Sequence, residues 1–249
     1  KAKKLLDIAC GRGGDLLKWV NLKYKLEYIL AFDSHYESIF GSIKKGDSFD
    51  GAISRFVNLK HINYRIPKII FKKINILDQD ILKSLNKIDN NTFYDIVSCQ
   101  FALHYFCENY TILNNVLNVV SSKLKKNGFF IGTATDGDII KKILDNGSVQ
   151  IPLLTIFKKQ MNNYLFYINT ENDKNINQNY FEVQGVSSEF YLFKQNLKEI
   201  AKKNNLELIE FKSFYDWYQE YKNQQHKKEM TIYEMVISFL NFSFIFKKI

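Results

Sequence analysis

The sequence predicts an α/β fold built on a mostly parallel, doubly wound sheet, and three observations carry that prediction. Apolar runs ending in an acid or amide recur at Leu5 to Asp7, Glu27 to Asp33, Lys68 to Asn75 and Thr92 to Gln100, and they read as strands, the first of them buried. Polar stretches with helical spacing separate them, and such alternation calls for crossover connections between parallel strands. A glycine-rich loop, CGRGGD, follows the first strand and opens the first helix.

Taken in order, LLDIACGRGGD ends its strand at Asp7 and turns through Gly11, Gly13 and Gly14. Glycine fits where backbone turns sharply or where a ligand needs the space of a Cβ. From Asp15 to Leu22, Leu16, Leu17, Trp19 and Val20 recur at helical spacing, and Asp15 suits a first helical turn. EYILAFD is the second strand, and Ser34 to Lys60 reads as helix, loop and helix, with GDSFDG as the interruption and Ala52 to Leu59 as the second helix. PKIIFKKIN and FYDIVSCQF are the third and fourth strands. The 109–124 stretch is an amphipathic helix closed by Asn127 and Gly128, and FFIGTAT is the fifth strand.

Beyond Asp136 the pattern loosens. A short helix covers Asp138 to Leu144, and Ile151 to Val186 mixes aromatics with Asn-rich loops, as an antiparallel insertion would. Ser187 to Asn204 reads as helix, Leu206 to Phe214 as strand, Phe214 to Tyr221 as helix and Phe242 to Lys248 as a last strand. Seven strands therefore form the main sheet, with helices on both faces. Neither a repeat nor a linker divides the chain, so residues 1–249 are expected to form a single domain, with 135–187 as the insertion.

Composition narrows the function. A chain of 249 residues with 46% hydrophobic and 15% aromatic content buries a core without disulfides or metal. The formal charge of +9 favours a polyanionic partner. Cys10, Cys99 and Cys107 are odd in number and lack zinc spacing, so they read as reduced intracellular thiols and no metal is expected. No apolar run is long enough for a membrane-spanning helix, and no membrane partner is expected.

The glycine loop lacks both the dinucleotide GxGxxG and the P-loop ending, and the acid before it favours a cation over pyrophosphate. In a doubly wound sheet, ligands sit outside the carboxyl ends of strands, where Asp33 has two readings: a ribose-binding acid or a helix cap. SCQFALHY, ending the fourth strand, hangs His104 and its flanking aromatics over the same edge, although one histidine with two aromatics also reads as core.

With these motifs in place, the chain resembles the messenger RNA cap guanine-N7 methyltransferases, which use S-adenosylmethionine (AdoMet). The first loop is similar to the family's LDxxCG(K/R)GGD, and QFALHY is similar to its QF-x-x-HY. AISRF, GFFIGTATDGD, SSEFYL and FYDWYQEY resemble further family segments in the same order. The resemblance implies a class I AdoMet methyltransferase, Rossmann-like, and is greatest to the methyltransferase domains of large DNA virus capping enzymes. Such a domain is expected to be the C-terminal part of a longer polypeptide, with upstream triphosphatase and guanylyltransferase domains or subunits as partners. The implied location is intracellular: host cytoplasm in a viral factory, or the virion, for a viral enzyme, and the nucleus for a cellular one.

Residue by residue, the resemblance implies that Asp7, Ala9, Gly11 and Asp15 line the methionine and ribose side of AdoMet. Asp33 takes the ribose hydroxyls, Asn75 with Ile76 approaches adenine, and Gln100, Ala102 and Tyr105 close that pocket. Phe101, His104 and Tyr105 shape the guanine site, Glu189 accepts from guanine N1 and N2, and Arg12 and Arg55 meet cap phosphates. No side chain is expected to act as acid or base; His104, Tyr105 and Glu189 position the substrate.

Asp78 competes with Asn75 for adenine, and Glu189 has a second reading as an acid stabilised at a helix start. Three positions depart from the family. Asn75 stands where Asp is common, Thr135 replaces a proline in one wall of the cap pocket, and a late tyrosine falls on Asn241 or, with a shifted alignment, on Tyr233. Two other functions fit the same fold: AdoMet-dependent methylation of another RNA or a small molecule, and a catalytically silent RNA-binding subunit. The intact DIACGRGGD loop and Asp33 argue against the silent subunit.

Overall fold

A computed structural model describes residues 2–23, 25–43, 50–62, 66–168, 186–223 and 230–249. The chain begins with β1 (Lys4–Ile8), α1 (Leu16–Val20), β2 (Tyr28–Asp33), α2 (Tyr36–Phe40), α3 (Ala52–Ile62) and β3 (Lys68–Lys73). It continues through α4 (Ile81–Asp89), β4 (Tyr94–Gln100), a short 3-10 turn (Leu103–Phe106), α5 (Tyr110–Lys123), β5 (Leu124–Thr135) and α6 (Gly137–Asp145). A second sheet follows as β6 (Val149–Ile151), β7 (Leu154–Lys158), β8 (Asn163–Ile168) and β9 (Val186–Phe190). The chain then returns to the main sheet through α7 (Lys194–Lys203), β10 (Leu206–Ser213), α8 (Phe214–Tyr221), α9 (Ile232–Phe239) and β11 (Asn241–Lys248).

The seven-stranded sheet has the order β10-β11-β5-β4-β1-β2-β3. Strands β3, β2, β1, β4 and β5 run parallel, whereas β11 is antiparallel to both neighbours, β5 and β10. β10 therefore points the same way as β5. The chain winds outward from β1 in one direction and from β4 in the other, which opens a crevice between their carboxyl ends.

Period-two alternation sorts the strand residues between two faces. Leu6, Ile8, Leu30, Phe32, Val97, Cys99 and Phe130 form one core with residues of α4, α5 and α7. Leu5, Ile29 and Ala31 pack on the opposite face with Trp19 of α1. The second sheet makes a separate core in which Leu154, Ile156, Tyr164 and Phe166 meet Ile140 and Leu144 of α6.

Several sequence expectations are corrected. The stretch from Ser187 is not helical throughout: Val186–Phe190 pairs antiparallel with β8, and the helix starts only at Lys194. Hydrogen bonds to a second strand outweigh the local helical pattern there. Strand β5 starts at Leu124, five residues before FFIGTAT, because helix α5 stops at Lys123. Helices α4 and α9 were not foreseen, although their signals are legible. In α4, Ile81, Leu85 and Ile88 share one face, and Thr231 and Glu234 form a capping box at α9. The 44–49 part of the GDSFDG region and the Asn-rich 169–185 segment lie outside the described residues.

Candidate active site

The glycine loop bends where its residues adopt left-handed backbone, with φ of +53° at Gly11 and +74° at Gly13. The backbone strain at Gly13 disfavours any side chain, and a Cβ there would also stand 2.5 Å from Leu16 Cδ1, which would have to shift. The Gly11 N–H donates to Asp33 Oδ2 at 3.0 Å, and the Cys10 N–H donates to the Phe32 carbonyl at 3.0 Å, clamping the loop to the end of β2. Asp33 Oδ1 accepts from the His35 N–H at 2.8 Å, whereas the N-cap position of α2 is His35 itself. Asp33 is thus a buried acid on the strand tip, and its helix-cap reading is set aside.

Asp7 lies one residue inside β1, on the α1 face of the sheet. Its Oδ2 accepts from the Trp19 indole N–H at 3.2 Å, and only 4% of the residue is exposed. Burial, reinforced by the charge of Asp15, pushes the Asp7 carboxyl up to about 7. Asp15 in turn pairs with Lys18 at 2.5 Å. An acid held this way gains most from a cation arriving at the crevice, which suits the chemistry of a sulfonium-bearing amino acid group.

At the next strand end, Asn75 is exposed and its Oδ1 accepts from the Leu77 N–H at 3.1 Å, while Ile76 is buried. Gln100, ending β4, is held between Ser98 Oγ and Thr133 Oγ1, each at 3.1 Å, and Ala102 is buried behind it. Two non-glycine residues take left-handed backbone at the facing ends of β1 and β4, Ala9 at φ +52° and Phe101 at φ +52°. Such strain concentrates at ligand sites.

Beyond Phe101, two part-exposed aromatic side chains, Phe101 and Tyr105, lie near two buried polar ones, His104 and Glu189, and this group is the candidate recess. Phe101 and Tyr105 are 40% and 39% exposed, whereas His104 and Glu189 are 3% and 2% exposed. Glu189 comes from β9, so the second sheet supplies the floor; its reading as a helix-start acid is ruled out. Its Oε2 accepts from the Tyr164 hydroxyl at 2.8 Å and from the Thr135 hydroxyl at 3.3 Å. No hydrogen bond reaches Oε1 from the described residues. Tyr105 is braced by a 3.1 Å hydrogen bond between its hydroxyl and that of Ser187 on β9.

His104 is defined by what surrounds it. The Thr135 N–H donates to Nδ1 at 3.5 Å, which makes Nδ1 the acceptor and puts the ring proton on Nε2. Nε2 lies 3.8 Å from Glu189 Oε2, too far for a hydrogen bond, and finds no partner among the described residues. Burial pushes the imidazole below its ordinary range, only partly opposed by the Glu189 charge, so the pair is not an ion pair at neutral pH. Thr135, expected to leave a pocket wall in doubt, contributes two donors that proline lacks.

The basic candidates separate. Arg12 is 9% exposed and its Nε donates to the Asp50 carbonyl at 3.0 Å, tying the loop to the start of α3. Arg55 borders a cleft with Gly13, Gly14 and Asn58. Asn241 pairs with Thr135 beside the recess, but its amide donates to the Ile237 and Ser238 carbonyls at the end of α9, while Tyr233 is 38% exposed on that helix. Sequence reasoning missed Tyr164, Ser187 and Trp19. An aromatic-rich strand signalled Tyr164 only as core, because nothing local shows that its hydroxyl meets Glu189.

Comparison with known proteins agrees with this layout. Solved structures of an AdoMet-dependent methyltransferase from Clostridium acetobutylicum (TM-score 0.57, 15% identity, 98% of this chain and 83% of that one) and of a methyltransferase from Streptomyces caelestis (TM-score 0.58, 10% identity, 99% and 83%) share the fold. The chain is 29% identical to a probable mRNA-capping enzyme of Acanthamoeba polyphaga mimivirus, covering 88% of this chain and 20% of that protein. It is 32% identical to mRNA cap guanine-N(7) methyltransferase 1 of Arabidopsis thaliana, covering 59% of this chain and 37% of the relative. The chain thus spans well under half of these relatives. Residues 1–236 match the mRNA (guanine-N(7))-methyltransferase domain, a span that holds the glycine loop, the recess and β1 to β10, and the chain belongs to that family.

Proposed function

We propose that this domain transfers the methyl group of AdoMet to N7 of the guanine in a 5′ GpppN RNA cap. The observation that carries the proposal is the floor of the recess: a buried carboxylate, oriented through Oε2 with Oε1 left over, beside a glycine loop and two acids at the switch of the sheet. AdoMet supplies an electrophilic methyl on a cationic sulfonium. In this reading Asp33 holds the ribose hydroxyls, Ile76 and Asn75 flank the adenine, and Asp7 and the Gly11 loop face the amino acid part, with Asp15, Gln100 and Ala102 enclosing it.

Guanine suits the recess because its faces meet Phe101 and Tyr105 while its N1 and N2 protons find Glu189. Guanine N7 is unprotonated at neutral pH, so transfer needs no base and rests on holding the reacting atoms in line. Glu189 also favours the purine as positive charge develops on it. His104, neutral and protonated on Nε2, acts as a fixed donor and spacer. Arg55, and Arg12 through the loop, supply positive charge for the triphosphate bridge. The mimivirus relative is named a probable mRNA-capping enzyme and only 20% of it is covered by this chain, which supports companion capping activities in other domains or subunits; the triphosphatase and guanylyltransferase are our proposal for them.

Incubation with methyl-labelled AdoMet and either GpppA, GTP or uncapped RNA tests the proposal. Label recovered as 7-methylguanosine from GpppA supports it. Label in another position, or AdoMet binding without transfer to any of the three, overturns it.

A further inference from the structure

A cleft of about 370 Å³ lies between α7 and β10, lined by Lys194, Lys198, Lys212, Phe211 and Phe242. None of these residues takes part in the site above. We propose that this cleft is a track for the RNA chain immediately downstream of the cap, gripping its phosphates on lysines, with the Phe211 ring as the surface against which a base rests. The inference rests on the cap reading for its substrate, but its location and chemistry stand on separate observations.

The first is where the cleft begins. Phe242 pairs with Ala134 on one side and Ser213 on the other, at the same carboxyl edge that carries Thr135. The Phe214 ring meets the Phe101 ring edge-on at 5.9 Å, and Lys194 Nζ holds Asp136, the residue after Thr135, at 2.5 Å. The cleft therefore opens where the aromatic recess ends, and a chain leaving the recess meets it first.

The second is the spacing of charge. Helix α7 runs from that edge toward the start of β10, and Lys194, Lys198 and Lys202 recur every four residues along it. Four residues advance a helix by about 6 Å, so the ammonium groups form a ladder along one face, commensurate with phosphates on an extended strand. Lys198 is exposed and makes no ion pair among the described residues. Lys212 pairs with Glu220 and sits 3.6 Å from the centre of the Trp217 ring. Asp216 also lines the cleft and holds the Ser213 hydroxyl at 2.6 Å. Lys194 is committed to the buried Asp136, which also caps α6, whereas the exposed Glu220 carboxylate on Lys212 is one that a phosphate can replace, and the overall charge of +9 favours that exchange.

The third is the aromatic component. Phe211 lines the cleft and is only partly buried, so it brings flat apolar surface beside the lysines, the combination by which single strands are held without sequence preference.

The test compares Lys198→Glu/Lys202→Glu with Lys83→Glu/Lys87→Glu, an equal charge reversal on exposed positions of α4. Methylation is measured on GpppA and on a capped RNA of twenty nucleotides, and binding on the same RNA uncapped, by fluorescence anisotropy. The expected result is a roughly tenfold higher KM for capped RNA and a weaker Kd for uncapped RNA in the α7 variant alone, with GpppA kinetics unchanged. Its salt dependence should become shallower by about 1.4 in log K against log salt, two phosphates at about 0.7 each. Equal effects of both double variants, or an unchanged RNA Kd in the α7 variant, overturn the track. Failure of methyl transfer to either substrate would reject the cap reading while leaving the anisotropy result to decide the track.

Discussion

Asp89 and Asp7 are both buried carboxylates, and the protein treats them in opposite ways. Asp89, at the amino-terminal edge of the sheet, receives Lys123 Nζ at 2.9 and 3.1 Å and the Tyr94 hydroxyl at 2.8 Å, and Lys123 is further held by Asn86 at 2.9 Å. Asp7, toward the carboxyl edge, has only neutral partners, the Trp19 indole N–H at 3.2 Å and the Ser98 hydroxyl, against carboxylate neighbours, and burial raises it to about 7. One charge is neutralised within the fold, and the other is kept for a ligand. Glu189 and His104 follow Asp7: each is buried, and each retains an atom without a hydrogen-bond partner among the described residues. Desolvation without a partner costs stability, and it persists where a ligand repays the cost.

The sharpest way to break this contrast is Lys123→Met. It leaves Asp89 buried and uncompensated, and urea unfolding should show a loss of about 3–5 kcal/mol. A loss below about 1 kcal/mol would mean that the amino-edge pair is no more structural than Asp7. Glu189→Gln should do the reverse, lowering kcat/KM for capped RNA by about 10²–10³-fold with little change in unfolding midpoint. Normal turnover in that variant would remove the electrostatic role of the recess floor.

Asp7 gives a prediction in pH. Because its folded pKa is raised, the protonated form favours the ligand-free fold below the unfolded value of 3.8, and that contribution is lost as pH rises through about 7. AdoMet affinity should move in the opposite sense, strengthening up to tenfold per pH unit below about 7 and levelling above it. Calorimetric titration across pH 5.5–8.5 measures this, and Asp7→Asn should abolish the slope. The smallest effect is expected for Tyr164→Phe, which leaves Thr135 as the remaining donor to Glu189 Oε2. Stability should fall by about 0.5–1.5 kcal/mol and kcat/KM by several-fold, through kcat more than KM.

How much of this was legible beforehand varies by residue. Asp7, Gly11 and Asp33 were readable because a strand, a glycine turn and a strand-end acid are local patterns, and sheet topology then brings them together. QFALHY was readable as a motif, although its bare chemistry, one histidine among aromatics, fits a core equally well. Glu189 was found by resemblance and given the wrong local structure. Its strand exists only through pairing with β8, a contact outside its own sequence neighbourhood. Tyr164 was missed for the same reason, and Thr135 was undervalued because its donors matter only once His104 and Glu189 face it.

The sequence by itself determined the layered α/β fold, the position of the glycine loop and the acids beside it, since periodicity and turn chemistry act over a few residues. Tertiary structure alone decided which buried charges are satisfied. Asp89 meets a lysine 34 residues away, Glu189 meets a tyrosine 25 residues before it, and Thr135 reaches both His104 and Glu189 across 31 and 54 residues. Hydrogen bonds of that range are set by how two sheets and their helices pack, and no local pattern encodes them.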